Sequence, residues 1–505
     1  MSASFCPKQG DERTPLLQQH QQNVKPPKPT PLPKAQMFAL VLLLISEPMI
    51  SMSILPYISE LVSELPITGG DKRKVGYYAG IIISLYFAGE ATTILQWSRL
   101  SDSIGRKPIL LSGVMGMVIA TIFFGLSRTF WALAASRFLA GALNGNVGVM
   151  KCMLAELTDE SNIAVAFSLT PLTWSVGNTI GPSIGGLLSR PHDHWPQQFS
   201  GTFWIQYPYF LPCAVTSAYA ALSFLIGSIV LKETLQKHKK ARKNTGSHIG
   251  NSDLGYTVNT ESGGIEGLNG ASVSREGDEQ ERAPLRSLFT RPVMLSIGVY
   301  AVFALLEISL GSLLPLAYTT PIRYGGLGLD AGQMGMCLGV FGILNGLIQF
   351  WMFPRLVRWI GLRGSLLASI SCLFPAFLLF PIIGRQARYA GNEDFMLWIF
   401  VLLHMLTMVG VDMAYGSICI YTSSAAPRKN MLGATNGLAQ TIVSVQRSVG
   451  PAIASSLFAF SLENEIMGGY GVFYGLTLCT FVVIWFSSQL PREAWKYQED
   501  DSSAG

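Results

Sequence analysis

The chain has 505 residues, 49% of them hydrophobic and only 13% charged, with a mean hydropathy of +0.36. A soluble chain carries about 25% charged residues. Half the usual polar cover is therefore missing, and several soluble domains built from this chain would expose large apolar patches. Seven scattered cysteines with no C-x-x-C pair give neither a disulfide framework nor a zinc site. The net charge of +5 suggests nucleic acid only until the charges are placed.

In chain order, apolar windows of about 19 residues mark spans at 37–57, 75–97, 109–127, 130–151, 164–189 and 207–231. After a polar stretch come 292–318, 332–353, 365–384, 395–420, 431–460 and 469–489. The expected fold is an all-α membrane protein of twelve transmembrane helices in two six-helix halves. It divides into a disordered cytoplasmic N-tail (1–36), a first half (37–231), a cytoplasmic linker (232–291), a second half (292–490) and a cytoplasmic C-tail (491–505). The polar, proline-rich start has no signal-peptide pattern.

With both termini cytoplasmic, the inner segments hold 26 Lys and Arg residues and the outer loops hold 8. That bias orients the chain by the positive-inside rule. The positive charge is thus a topology signal, the partner is a lipid bilayer, and no nucleic acid is expected.

The halves repeat each other. R-L-x-x-x-I-G-x-x-x-x-L-L occurs at Arg99–Leu111 and again at Arg355–Leu367, 256 residues later. G-P-x-I occurs at Gly181–Ile184 and at Gly450–Ile453, 269 residues later. Ser46–Tyr57 resembles Leu306–Tyr318, which pairs Glu47 with Glu307. A six-plus-six duplication with a site between the halves is a secondary-transporter architecture.

Three motifs carry chemistry. The loop Trp97–Pro108 holds Asp102, Gly105, Arg106 and Lys107, a tight turn with cations and one acid able to meet a helix N-terminus. Span four carries Arg137 in R-x-x-x-G, an expensive buried charge. Span five carries Gly177, Gly181, Pro182, Gly185 and Gly186, small residues that let helices approach closely, with a proline that frees a carbonyl.

Together these resemble the major facilitator superfamily, in the twelve-span drug:proton antiporter type and its fungal and zinc-induced-facilitator-like branch. Ser98 and Ser103 stand where the family loop has its first glycine and first arginine. The resemblance implies that Asp102, Gly105, Arg106 and Lys107 lock and release the inner gate. It also implies that Arg137 is linked to proton transfer and that G-x-x-x-G-P-x-x-G-G marks an exporter.

Glu47, Glu90, Glu307 and Asp412 are the intramembrane acids. A carboxylate that is protonated to be buried and ionised to hold a cation is a natural coupling device. Proton coupling is assigned first to Glu47 and Asp412, then to Glu307 and Arg137. Asn144, Asn146, Asn345, Gln349, Gln440 and Tyr415 are candidate substrate-cavity residues. Acids beside aromatics suit a cationic, partly apolar ligand, whereas Arg137 or Arg447 suits an anionic group. His404 reads as a hydrogen-bonded core histidine.

The expected function is proton-coupled export of a small organic compound, such as a drug or natural product, by alternating access. The alternatives are a non-transporting membrane sensor or scaffold of the same fold, or a transporter of a metal chelator. No histidine box or phosphate loop occurs, so neither an enzyme nor a cofactor or metal is expected. A monomer is expected in the plasma or vacuolar membrane. Glu12, Leu16 and Leu17 form an acidic dileucine pattern for a sorting adaptor.

Overall fold

The computed structural model describes residues 33–144, 146–158, 163–234, 289–391, 394–427, 432–493 and 495. The tail and linker assignments fall almost wholly outside them, as do the sorting residues Glu12, Leu16 and Leu17.

The described residues are helical and contain no strand. The first half comprises α1 (Lys34–Ser53), α2 (Ile58–Ser63), α3 (Val75–Ile104), α4 (Arg106–Gly125), α5 (Phe130–Leu143), α6 (Asn146–Glu156), α7 (Ile163–Leu188), α8 (Pro191–His194), α9 (Thr202–Gln206) and α10 (Phe210–Val230). The second comprises α11 (Arg291–Thr319), α12 (Ala331–Ser371), α13 (Leu373–Ala390), α14 (Phe395–Asp412), α15 (Ala414–Ser424), α16 (Leu432–Glu463) and α17 (Gly471–Ser488). Seven described helical stretches are long and apolar enough to cross a bilayer. The order accommodates twelve passes, with α5 and α6 sharing one, α14 and α15 another, and α12 divided between two, the second of which α13 completes.

Two sequence expectations change. Span four is broken: α5 ends at Leu143, and Asn144 takes non-helical angles (φ −85°, ψ 57°). Asparagine is a weak helix former, and its amide here turns to the Tyr86 hydroxyl. Span ten runs on from α14 into α15 as expected, since Met413 between them keeps helical angles (φ −61°, ψ −20°). Spans eight and nine run together as α12, bent at Gly361 (φ 75°, ψ 172°). That φ is accessible to glycine at little cost.

We call the end of the bundle where α1 begins and α10 stops the near end, and the opposite end the far end. The halves meet along two seams, α7 against α12 and α3 against α16. Four hydrogen bonds described between the two halves run from the far end to mid-bundle. Glu60 accepts from the Ala331 amide at 3.1 Å, and Tyr77 donates to Glu463 at 3.2 Å. Ser84 Oγ accepts from the Ala452 amide at 2.8 Å, and Ser175 donates to the Gly342 carbonyl at 3.2 Å. The described tie-points therefore close the far end.

Candidate functional site

The second half builds a continuous polar cluster. Asp412, the last residue of α14, accepts a 2.9 Å hydrogen bond from Asn345 Nδ2 of α12. Asn345 Oδ1 accepts in turn from Gln349 at 2.8 Å, one helical turn on. Glu307 of α11 lies near enough for its charge to act on Asp412. Its Oε2 accepts from the Tyr415 hydroxyl at 2.6 Å, and that hydroxyl accepts from Arg447 of α16 at 3.1 Å. Phe303 and Tyr300 stand edge-on to the Tyr415 ring, at 5.2 and 6.2 Å. Gln440 is hydrogen-bonded to Tyr300. Two acids, one cation and three rings thus share one wall, and Arg447 Nε is buried with no hydrogen-bond partner among the described residues.

The first half holds a second cluster of such groups. Arg137 of α5 is 4% exposed, with its guanidinium 4.8 Å from the Tyr86 ring centre and 5.9 Å from that of Phe124. Such cation–π contacts offset part of the cost of a charge held away from water. Asn144 Nδ2 donates to the Tyr86 hydroxyl at 2.8 Å, while Asn144 Oδ1 is buried without a partner among the described residues. Glu47 is 5% exposed on α1, and both it and Glu90 act electrostatically on Tyr86.

The break between α5 and α6 falls on the first-half cluster, at the candidate residue Asn144. Interrupted helices free backbone groups of the kind with which transporters bind substrates and ions. Met413, 269 residues later, keeps helical angles, so no matching break stands there. Sequence reading placed Asn144 inside a continuous span and missed the break, although the Asn144-Gly145 dipeptide is a turn signal.

The gate-loop residues pack inside the first half. Arg106 pairs with Glu156 at 3.1 Å and donates to Ser101 at 2.6 Å. Lys107 Nζ donates to the Ser228 carbonyl at 2.7 Å. The carboxylate of Glu233, beyond the end of α10, accepts from the Arg106 and Lys107 amides at 2.8 and 3.2 Å. This satisfies free N–H groups at the α4 N-terminus and complements its dipole. Sequence reading left Glu233 without a role. Gly105 (φ 130°) carries the turn, and a side chain there would meet Glu233. The side chains of Asp102 and Asn146 lie outside the described residues.

The span-five motif forms both contact faces of α7. Gly177 and Gly181 lie against Pro48 and Met49 of α1, and Gly185 lies against Ser53. Gly186 and Pro182 meet Gly335 of α12, where an added Cβ would stand 2.6 Å from the Pro182 carbonyl oxygen. Gly335, Gly339, Gly342 and Gly346 form a matching small-residue stripe on α12 that sequence reading did not single out. His404 is fully buried and bonded to Tyr318 at 2.7 Å, as expected of a core histidine.

The family model "Major Facilitator Superfamily" matches residues 37–451. The chain is 31% identical to a major facilitator-type transporter, psiT2, of Psilocybe cyanescens, over 93% of each chain. It is 28% identical to a multidrug transporter, mfsB, of Aspergillus fumigatus, covering 94% of this chain and 87% of that one. Among solved structures, the human organic anion transporter MFSD10 aligns with a TM-score of 0.58 at 18% identity, over 91% of this chain and 100% of that one. An inward-facing bacterial homologue of the lysosomal transporter Spinster aligns with a TM-score of 0.56 at 15% identity, over 91% and 95%. At these identities the structural neighbours establish the shared fold, while the match at 37–451 and the 31% relative establish the family: the chain belongs to the Major Facilitator Superfamily.

Proposed function

We propose that this transporter is a proton-coupled antiporter that exports a small organic compound by alternating access. The observation that carries the reading is the second-half cluster, in which Asp412 is bonded to Asn345 and Tyr415 bridges Glu307 and Arg447. Glu307 and Asp412 are close enough to repel when both are ionised. A proton or a cationic ligand relieves that repulsion, so the two compete for one site. The rings of Tyr415, Tyr300 and Phe303 favour a cation with an apolar body. Relatives named as a multidrug transporter and an efflux pump support export.

The basic-residue bias makes the near end cytoplasmic, so the far-end seams close the outer side and both termini are cytoplasmic. The plasma membrane and the vacuolar membrane are the candidate locations, with Glu12, Leu16 and Leu17 as the adaptor signal for the second. We assign the working unit as a monomer.

Reconstitution with an imposed proton gradient, screened against cationic, anionic and chelator panels, tests the proposal. A cationic amphiphile is expected to accumulate against the proton flow. No gradient-dependent movement of any panel would contradict the reading, as would wild-type pH dependence in both Glu47→Gln and Asp412→Asn.

A further inference from the structure

We infer that the near-end turn of the second half, around Arg355 and Arg358, binds the phosphate of anionic phospholipid headgroups. The repeat makes the turn informative. Gly105 and Gly361 occupy the same place in the duplicated motif and both bend the chain at positive φ, 130° and 75°. The side chains around them have diverged. Where the first copy has Asp102 and Ser103, the second has Arg358 and Trp359.

Arg355 and Arg363 correspond to Arg99 and Lys107, and Arg363 repeats at Ser488 the contact of Lys107 with the Ser228 carbonyl; the added Arg358 and the lost acid are what the second copy changes. In the first copy Arg106 is neutralised by Glu156 and the neighbouring helix terminus by Glu233. In the second, Arg355, Arg358 and Arg363 have no carboxylate partner among the described residues. They donate instead to the carbonyls of Trp351, Pro354 and Ser488. A carbonyl orients a guanidinium without cancelling its charge, so a positive field remains for an anion.

Their position identifies the anion. On α12 the exposed apolar residues Met336, Val340, Ile343, Leu347 and Trp351 recur every three or four residues. They form one stripe, about 100° round the helix from the glycine stripe that packs on α7. Arg358 continues that stripe two turns beyond Trp351. The Arg355 guanidinium lies 4.5 Å from the Trp351 ring centre, and Trp359 is 71% exposed beside them. An apolar stripe ending in tryptophan and then arginine matches the order of acyl chain, interface and headgroup in a bilayer leaflet. A free phosphate would need no such stripe beneath it. The cytoplasmic assignment of this end places it at the leaflet that is rich in anionic lipid.

The test is the thermal midpoint of the purified full chain in micelles, titrated with phosphatidylserine, with phosphatidylcholine, and with soluble glycerophosphoserine. Phosphatidylserine is expected to raise the midpoint, and the other two are not. At about fivefold per arginine near a charged surface, the half-effective phosphatidylserine fraction should rise roughly 25-fold in Arg355→Gln/Arg358→Gln. Arg355→Lys/Arg358→Lys, which keeps the charge, should stay within about threefold of wild type. Four results would overturn the inference: no shift with phosphatidylserine, an equal shift with phosphatidylcholine, an unchanged titration in the glutamine pair, or the same shift with glycerophosphoserine.

Discussion

Glu307 and Tyr415 are joined by a 2.6 Å hydrogen bond between α11 and α15. Because that hydroxyl also accepts from Arg447 at 3.1 Å, one phenol bridges the acid and the base of the second-half wall. Removing it separates them without changing either charge. A hydrogen bond to a charged group contributes at least about 1.5 kcal/mol. Tyr415→Phe should therefore lower the proton-driven transport rate by about tenfold or more, while the purified protein keeps its wild-type elution profile. A rate within twofold of wild type would show that the bridge is dispensable.

The far-end seam has its own acid. Glu60 accepts from the Ala331 amide across the halves. Burial raises its carboxyl above the usual range, an effect opposed by the Ala331 hydrogen bond and Arg190 and reinforced by Asp330 and Glu64. A raised value in the closed form means that this form holds the proton more tightly than an open, hydrated one. Closure is therefore favoured as pH on that side falls, and the bias fades as pH rises through the raised value. With each rate divided by that of a permanently exposed cysteine at the same pH, which removes the loss of thiolate as pH falls, a reporter cysteine at Thr179 in the seam of a cysteine-free background should label relatively more slowly at about pH 5 than at pH 7.5, above the unperturbed carboxyl range. Glu60→Gln should remove the difference.

The contact of Gly335 with Pro182 and Gly186 leaves no room for a side chain. Gly335→Val is expected to hold the α7–α12 seam apart. Labelling of the same reporter should increase several-fold and transport should fall by more than tenfold. Overpacking of a close contact typically costs about 1–3 kcal/mol, so the protein should still be recovered from the membrane.

Glu233 and Gly105 act on the same helix start. A carboxylate cap contributes about 1 kcal/mol, and alanine at Gly105 adds both strain at φ 130° and a clash with Glu233. Each single change, Glu233→Ala and Gly105→Ala, should lower the thermal midpoint. The double variant should lose less than the two losses combined, because the clash disappears with the ordered carboxylate.

Much of this was legible before any coordinates. The spans, the repeat and the family motifs follow from hydropathy and from glycine and proline spacing, which are local properties. Glu307, Asp412, Asn345, Gln349 and Tyr415 were each singled out because a polar group in an apolar helix needs a reason. Their partners were not legible. The Glu307–Tyr415–Arg447 bridge joins residues 108 and 32 positions apart in sequence, and the Glu233 cap spans 127. Such pairings depend on how helices cross. The break at Asn144 was hidden for another reason. A hydropathy window averages over about 19 residues and cannot register the loss of a single turn.

Glu307 and Asp412 are the groups proposed to couple protons to substrate, and separating exchange from accumulation tests that role most directly. In proteoliposomes, Glu307→Gln and Asp412→Asn should retain substrate counterflow at zero proton gradient, since exchange needs only the alternating site. Both should lose gradient-driven accumulation and substrate-dependent proton flux. Wild-type proton flux in the two variants would contradict the account.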